Sequence, residues 1–260
     1  MSHERLAGAA RAVAITRAVP TSLPHCELTY QTRVPIDLEL ARAQHAAYRD
    51  ALVRHGYHVV ELPEAPDLPD SVFVEDVAVI FDELAVITRP GAPSRRPEVP
   101  SVSAALQEYR TVHEITAPGT LDGGDVLQLG RRVFVGVSTR TNHEGIAQLA
   151  RIVERFGYQV IPVDVDKSLH LKSLVTAVAD DLIVADTDSI DPAIFDVRCI
   201  AVPPEAANML RLKNVVLCPA AAAAVAQRLT SEGLAVELLD NSELAKAEGA
   251  LTCCSLIIEG

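Results

Sequence analysis

Four short polar segments contain the residue types that a nucleophilic enzyme needs. They are residues 69–76, 120–125, 168–172 and 251–258, and together they supply carboxylates, one histidine and two adjacent cysteines. A thiolate nucleophile, a histidine base and a carboxylate that orients the histidine form a recurrent catalytic set. The combination predicts covalent catalysis by a cysteine, and the extra carboxylates indicate a cationic electrophile.

Each segment also has an ordinary structural explanation. A buried cysteine is often an inert small apolar residue, a lone histidine in an apolar context often belongs to the core, and Asp-Gly-Gly is typical of a turn. Cys253 and Cys254, if they lie on a strand, point to opposite faces, so at most one can face a cavity. Glu75 and Asp76, predicted inside a Val/Phe strand, need a cationic partner, which internal arginines or a guanidinium ligand would supply.

A repeated pattern predicts how these segments are positioned. Helical patterns at residues 42–55, 144–156 and 220–232 each end at a glycine that a β-branched strand follows. Weaker copies occupy residues 102–115 and 191–202, and strand pairs precede several of the copies. Five ββαβ units predict an α/β fold, a five-bladed α/β propeller around a central active-site channel. A two-layer α/β sandwich is the alternative, and no linker divides the predicted single domain, residues 1–260.

The composition narrows the classes of partner. Lys and Arg number 23 and Asp and Glu 35, so the net charge is −12. This balance argues against nucleic acid and anionic membranes and suits a small cationic substrate. We find no transmembrane run and, in residues 1–18, no signal peptide. The five cysteines show no CxxC spacing, so we expect neither a disulfide framework nor a zinc finger. This cysteine usage and the lack of a signal peptide predict a cytoplasmic location.

Six motifs stand out along the chain. They are PDSVFVEDVAV at 69–79, ITRPGAPSRRPE at 87–98, LDGGDV at 121–126, FVGVSTRTN at 134–142, LHLK at 169–172 and LTCCS at 251–255. Together they resemble the dimethylarginine dimethylaminohydrolase family, one of the guanidino-group-modifying enzymes. The resemblance covers essentially the whole chain, and it implies the same five-bladed fold that the repeats predict.

The resemblance implies a role for each chemical group. Cys253 is expected to be the nucleophile and Cys254 to be dispensable, with His170 as general acid and base and Asp122 orienting it. The residues expected to bind the substrate are Glu75 and Asp76 at the guanidinium, Asp70 nearby, Arg95 and Arg140 at the α-carboxylate, and Leu28 on a loop, residues 23–30, that closes over the amino-acid end.

The reaction implied is hydrolysis of Nω,Nω-dimethyl-L-arginine and Nω-methyl-L-arginine to L-citrulline and dimethylamine or methylamine. It proceeds through a covalent S-alkylthiouronium on Cys253. No metal or organic cofactor is expected, although zinc on Cys253 and His170 would inhibit. The chain is expected to be a monomer or homodimer.

Two other functions are weighed. Arginine deiminases of this fold are longer and typically carry an arginine before the aspartate that corresponds to Asp76, where this chain has Glu75. A non-catalytic binding module, as in a ribosome-binding factor of the same fold, would have lost its cysteine, histidine or carboxylates, and all are present here.

Overall fold

Five three-stranded sheets form the fold of residues 12–260, the part of the chain that the computed structural model describes. Residues 1–11, which hold much of the segment in which we predict no signal peptide, lie outside it. Within residues 12–260, no helix has both the length and the apolar content that crossing a membrane requires.

Each sheet has one antiparallel and one parallel pairing, made by a central strand with its two neighbours. The strands, sheet by sheet, are β15 (Leu256–Ile258), β1 (Val13–Arg17) and β2 (His58–Leu62); β3 (Ala78–Ile80), β4 (Leu84–Ile87) and β5 (Thr111–Glu114); β6 (Val126–Leu129), β7 (Arg132–Val137) and β8 (Gln159–Asp164); β9 (Val175–Ala179), β10 (Leu182–Ala185) and β11 (Arg198–Ala201); β12 (Leu210–Arg211), β13 (Val216–Pro219) and β14 (Val236–Leu239).

Helices cross between the parallel strands of four sheets, as parallel pairing requires a long connection. They are α1 (Leu38–Arg54), α2 (Val99–Leu106), α3 (His143–Val153) and α4 (Ala223–Ser231), and a short α5 (Ser242–Ala245) follows β14. In the fourth sheet a 3₁₀ turn, Pro192–Phe195, replaces the helix. The prediction of five ββαβ units in a propeller is therefore confirmed, and the two-layer sandwich is wrong.

The glycine stops predicted from the sequence lie where the helices end. Gly56, Gly157 and Gly233 follow three of the crossover helices with φ between +80° and +91°. This left-handed conformation is strained for residues with a Cβ, whereas glycine adopts it readily. The chain can thus reverse at once into the next strand.

Two predicted strands are instead 3₁₀ turns. Val74–Val77 forms one turn, so Glu75 and Asp76 precede strand β3 rather than lying inside it, and Thr252–Cys254 forms another, just before β15. The apolar neighbours of these residues are buried, which made both segments read as strands. Their burial comes from their place between the sheets, and hydrophobic pattern alone does not distinguish that from strand pairing.

Candidate active site

Six of the nine predicted site residues line one small pocket. Its cavity volume is about 20 Å³, room for a single water. The predicted residues that line it are Asp70, Asp76, Arg95, Arg140, His170 and Cys253. These come from distant parts of the chain and meet because each lies in a turn or loop connecting the strands.

His170 is buried and held by a carboxylate. Its Nε2 lies 3.1 Å from Oδ2 of Asp122, and its Nδ1 lies 3.8 Å from Oδ1 of Asp76. Asp122 is itself fully buried, and its Oδ1 accepts a hydrogen bond from the backbone N–H of Gly91 at 2.9 Å. One oxygen of Asp122 is therefore held by the backbone, and the other faces the imidazole and orients it.

The charges around His170 favour its protonated form. Burial by itself lowers the pKa of this imidazole, but the negative charge of Asp76, the hydrogen bond with Asp122 and the charge of Asp125 outweigh it and raise the pKa to about 9. Burial raises the pKa of Asp76 in turn, but the positive charges of His170 and Arg95 bring it down to about 2. At neutral pH this pair is an imidazolium beside a carboxylate.

The two cysteines have different surroundings. Cys253 is partly exposed and lines the pocket, whereas Cys254 is buried with its Sγ 3.4 Å from the carbonyl of Ala250. Both are free thiols. Burial, followed by the negative charges of Glu75 and Asp76, raises the pKa of the Cys253 thiol well above its ordinary value. The thiol is therefore protonated in these surroundings, and a cation between these carboxylates would counteract the shift.

Arg95 is tied to protein carboxylates. Its Nε and Nη2 donate to the two oxygens of Glu98 at 3.0 and 2.9 Å, Nη2 also reaches the carbonyl of Phe73, and Nη1 pairs with Asp76. One N–H on Nη1 is left for a ligand. The planar fork of the guanidinium already faces Glu98, so the contact of Arg95 with an α-carboxylate stays a prediction and would use the remaining Nη1 N–H.

Glu75 has partners on both carboxylate oxygens. Lys172 forms an ion pair with Oε1, and the hydroxyl of Thr252 donates to Oε2 at 2.7 Å. Lys172 had no role in the sequence analysis, although it closes the motif that contains His170. Its position two residues beyond the histidine, on the 3₁₀ turn Leu171–Ser173, is the signal that points to it.

Asp125 is a second group that sequence reasoning missed. It is fully buried, and its two oxygens accept hydrogen bonds from the backbone N–H of Leu171 at 2.9 Å and from the Ser138 hydroxyl at 2.6 Å. Burial raises its pKa to about 6. Asp125 thus fixes the turn that follows His170, which explains the second aspartate of the LDGGDV motif.

The loop that contains Leu28 lies over the pocket. The backbone N–H of Glu27 donates to Oδ2 of Asp70 at 3.2 Å, and the Glu27 carboxylate lies 3.4 Å from Nη1 of Arg140. Leu28 is half-buried beside these contacts. Asp70 and Arg140, two of the predicted substrate-binding residues, are therefore both engaged by one residue of the loop.

The carboxylate of Glu248 also holds this loop in place. Glu248 accepts hydrogen bonds from three consecutive backbone N–H groups, those of Thr29, Tyr30 and Gln31, at 3.1, 2.6 and 2.6 Å. Glu248 has φ +57, a conformation seldom adopted by residues other than glycine, asparagine and aspartate. Neither Glu27 nor Glu248 stood out in the sequence, because glutamate is usually exposed to solvent and both residues lie in loops.

Among residues 12–260, three side chains have donor atoms close enough to share a metal ion. Asp76, Asp122 and His170 each place one donor within 4.8 Å of the others, and all three already bond to protein groups. Cys253 is not in this group. Zinc inhibition through Cys253 and His170 stays a prediction.

Comparison with known proteins identifies relatives along most of the chain. The family model described as N,N dimethylarginine dimethylhydrolase, eukaryotic, matches residues 27–200. An N(G),N(G)-dimethylarginine dimethylaminohydrolase of Streptomyces coelicolor is 41% identical over 247 residues, 94% of this chain and 95% of that protein. One from Pseudomonas aeruginosa is 35% identical over 85% of this chain and 89% of that protein.

Solved structures agree. A cysteine-to-serine mutant of the Pseudomonas aeruginosa enzyme, complexed with citrulline, superposes with a TM-score of 0.90 at 33% identity, covering 95% of this chain and 99% of that one. The N-terminal domain of an arginine dihydrolase from cyanobacteria shares the fold, with a TM-score of 0.82, at only 17% identity. With the family model and the relatives in agreement over most of its length, the chain belongs to the dimethylarginine dimethylaminohydrolase family.

Proposed function

We propose that this chain, as one catalytic domain, hydrolyses Nω,Nω-dimethyl-L-arginine and Nω-methyl-L-arginine to L-citrulline and dimethylamine or methylamine. The observation that carries the proposal is one pocket lined by the Cys253 thiol, the His170 imidazolium and the Asp76 carboxylate. The names of the relatives and the citrulline complex of the Pseudomonas aeruginosa enzyme support the choice of substrate and product.

In our proposal the guanidinium of the substrate binds against Glu75 and Asp76. Glu75 already has Lys172 as a cationic neighbour, and Asp76 has Arg95 and His170. These neighbours fix the two carboxylates while leaving lone pairs for the substrate. Carboxylates on a planar guanidinium hold it still and draw its positive charge toward them. This makes the central carbon a better target for a sulfur nucleophile held nearby.

The α-amino and α-carboxylate groups of the substrate bind at the other end of the pocket. Asp70 accepts from the ammonium, Arg140 pairs with the carboxylate, and Arg95 offers its remaining N–H. Glu27 contacts both Asp70 and Arg140 in this structure, so its backbone and side chain must leave these groups when substrate enters. Leu28 then closes over the bound amino acid with the rest of the loop.

The first chemical step is attack by the sulfur of Cys253. The bound cation offsets the charges of Glu75 and Asp76 that hold the thiol neutral, so the thiol loses its proton to solvent when substrate is in place. The thiolate adds to the guanidinium carbon. His170 donates its Nδ1 proton to the departing nitrogen, because Nε2 is held by Asp122, and the carbon–nitrogen bond breaks as the amine leaves.

The second step hydrolyses the S-alkylthiouronium that remains on Cys253. His170, now neutral, takes a proton from water, and the hydroxide adds to the same carbon. The carbon–sulfur bond breaks, the thiolate is restored, and L-citrulline carries the new oxygen. The balance needs water alone, so no cofactor enters the proposed reaction. A cytoplasmic location, a monomeric or homodimeric state and the expectation of no nucleic-acid or membrane partner stay predictions.

The experiment that tests the proposal measures citrulline release from dimethylarginine, monomethylarginine and arginine side by side. We expect turnover of the two methylated substrates, a loss of at least about 10³-fold in Cys253→Ser, and retention within a few-fold in the matched variant Cys254→Ser. Release mainly from arginine would instead assign the chain to the deiminases. No release from any of the three would contradict the proposed reaction.

A further inference from the structure

Asn208 joins the two turns that carry the proposed acid and nucleophile. It lies just before strand β12 and is buried, 8% exposed. Its Nδ2 donates to the carbonyl of Lys172 and to Oγ1 of Thr252, both at 3.0 Å, and its Oδ1 accepts from the backbone N–H of Thr252 at 3.1 Å. Lys172 is two residues beyond His170, and Thr252 directly precedes Cys253.

The partners of this amide determine its orientation. A backbone carbonyl can only accept and a backbone N–H can only donate, so Nδ2 must face Lys172 and Oδ1 must face the N–H of Thr252. Both Nδ2 hydrogens are then used, one of them on Oγ1 of Thr252. Because that oxygen accepts from Asn208, the single proton of the Thr252 hydroxyl points to its other neighbour, Oε2 of Glu75, at 2.7 Å.

We propose that Asn208 is a positioning residue for the reaction, acting through Thr252 on the carboxylate of Glu75. This inference rests on the proposed function, because it assigns Glu75 to the substrate guanidinium. The Asn208 amide holds the Cys253 turn against the His170 turn and directs the Thr252 hydroxyl so that Glu75 keeps a donor on Oε2 while Lys172 holds Oε1.

The segment that carries Asn208 is itself anchored from the neighbouring sheet. The Thr176 hydroxyl on strand β9 donates to the carbonyl of Ala207 and accepts from the N–H of Met209, at 2.9 and 3.1 Å. The backbone on both sides of Asn208 is thereby fixed. A substitution of the amide should consequently change its hydrogen bonds while the segment keeps its path.

The test uses variants of nearly equal shape. In Asn208→Asp the second carboxylate oxygen cannot donate, so the Thr252 hydroxyl turns its proton toward it and Glu75 loses its donor. Thr252→Val removes the same donor, and Thr252→Ser keeps it. We expect kcat/KM for dimethylarginine to fall on the order of 10²-fold in Asn208→Asp and in Thr252→Val, and to stay within about threefold in Thr252→Ser.

The double variant separates a shared route from independent damage. If both residues act on Glu75 through one hydroxyl, Asn208→Asp with Thr252→Val should lose little more than the worse single variant, whereas independent effects would multiply. Gln44→Ala is the matched control: this buried amide joins α1 to α5 through Ser242 and the N–H of Glu243, at 2.8 and 3.0 Å. We expect it to lower Tm and leave kcat/KM within twofold.

Three results would overturn the inference while the unmodified chain still releases citrulline. The losses of kcat/KM could multiply in the double variant, Thr252→Ser could lose as much activity as Thr252→Val, or the losses could follow Tm as in Gln44→Ala. An unmodified chain without turnover would overturn the proposed function and this inference together. Circular dichroism and Tm of each variant establish that it is folded before its kinetics are compared.

Discussion

At the scale of single residues, the charges of Asp76, Asp122 and Glu75 set the protonation of His170 and Cys253. Asp76 and Asp122 flank the two nitrogens of His170, and the same Asp76 carboxylate, with Glu75, keeps the Cys253 thiol protonated. A protonated imidazole and a neutral thiol make the resting site unreactive toward water and oxidants. A bound guanidinium is the change that we expect to activate the sulfur.

The raised pKa of His170 leads to a prediction about pH. Its value of about 9 lies above the ordinary 6.5, so the imidazolium predominates at neutral pH and is lost as the pH rises through 9. We expect kcat/KM to fall above about pH 9 as the proton donor disappears. In Asp122→Asn an amide N–H would face Nε2, so the alkaline fall should move at least about one pH unit lower.

Asp186→Asn is the control for this pH profile. Asp186 is a buried aspartate of the turn after strand β10 that accepts from the N–H of Asp188 at 3.3 Å. Its substitution should leave the alkaline limb where it is. If kcat/KM of Asp122→Asn fell at the same alkaline pH as that of the unmodified chain, a group other than His170 would be responsible for the fall.

At the scale of elements, short 3₁₀ turns rather than strands present the functional side chains. The turns Val74–Val77, Gly123–Asp125, Leu171–Ser173 and Thr252–Cys254 meet at the centre of the ring. Turns of this kind leave backbone N–H groups free to bond side chains, and both Asp76 and Asp125 accept from such groups. The sheets outside them supply rigid support for the turns.

Close packing of these turns explains a glycine. A Cβ on Gly124 would lie 2.6 Å from Nδ1 of His170 and 2.7 Å from Oδ1 of Asp76. Gly124→Ala should therefore displace the imidazole and lower kcat on the order of 10²-fold, measured by citrulline release. Gly130→Ala is its control, because nothing lies within 4 Å of the added methyl at that β-turn glycine.

Gly130→Ala should lower the stability of the protein and leave its activity unchanged. Its φ of +61° makes an alanine there about 1–2 kcal/mol less favourable, so Tm should fall while kcat stays within twofold. Equal losses of kcat in both glycine variants would contradict the steric explanation.

The loop over the pocket gives a second prediction at this scale. Glu248→Ala removes the acceptor of three consecutive N–H groups, so residues 27–33 should open more often. We expect faster tryptic cleavage after Arg33, a raised KM and protection by saturating citrulline. Glu64→Ala removes a carboxylate that accepts from the N–H of Thr21 at 2.7 Å, just before the loop, and serves as the matched control. Equal cleavage rates in the two variants would show that Glu248 does not hold the loop.

At the scale of the whole molecule, the described chain closes into a ring through its two ends. Strand β15 pairs antiparallel with β1, so the first described strand and the last share a sheet. The turn that carries Cys253 directly precedes β15. The position of the proposed nucleophile thus depends on ring closure.

Removal of the last strand tests this dependence. A chain ending at Ser255 loses β15 and exposes an edge of β1, and we expect it to lose its cooperative thermal transition. A chain ending at Ile258 loses only the contacts of Glu259 with Tyr57 and Arg110 and should fold with a modestly lower Tm. Equal Tm values for both would show that the ring closes without β15.

The sequence by itself determined the five-unit repeat, the family and six of the residues that line the pocket. Helical periodicity ended by glycine is a local signal, since the left-handed φ is a property of one residue. The motifs around His170 and Cys253 are likewise contiguous segments. Such features can be read from sequence because the physics that produces them acts between near neighbours.

Only the tertiary structure decided which partners each group has. Glu75 meets Lys172 and Thr252, which lie 97 and 177 positions further along the chain, and Asn208 joins turns from two other blades. The same holds for Arg95, whose guanidinium turns to Glu98 and Asp76. Hydrophobic pattern records how deeply a segment is buried, whereas hydrogen-bond and ion-pair partners depend on the angles at which the blades close around the axis.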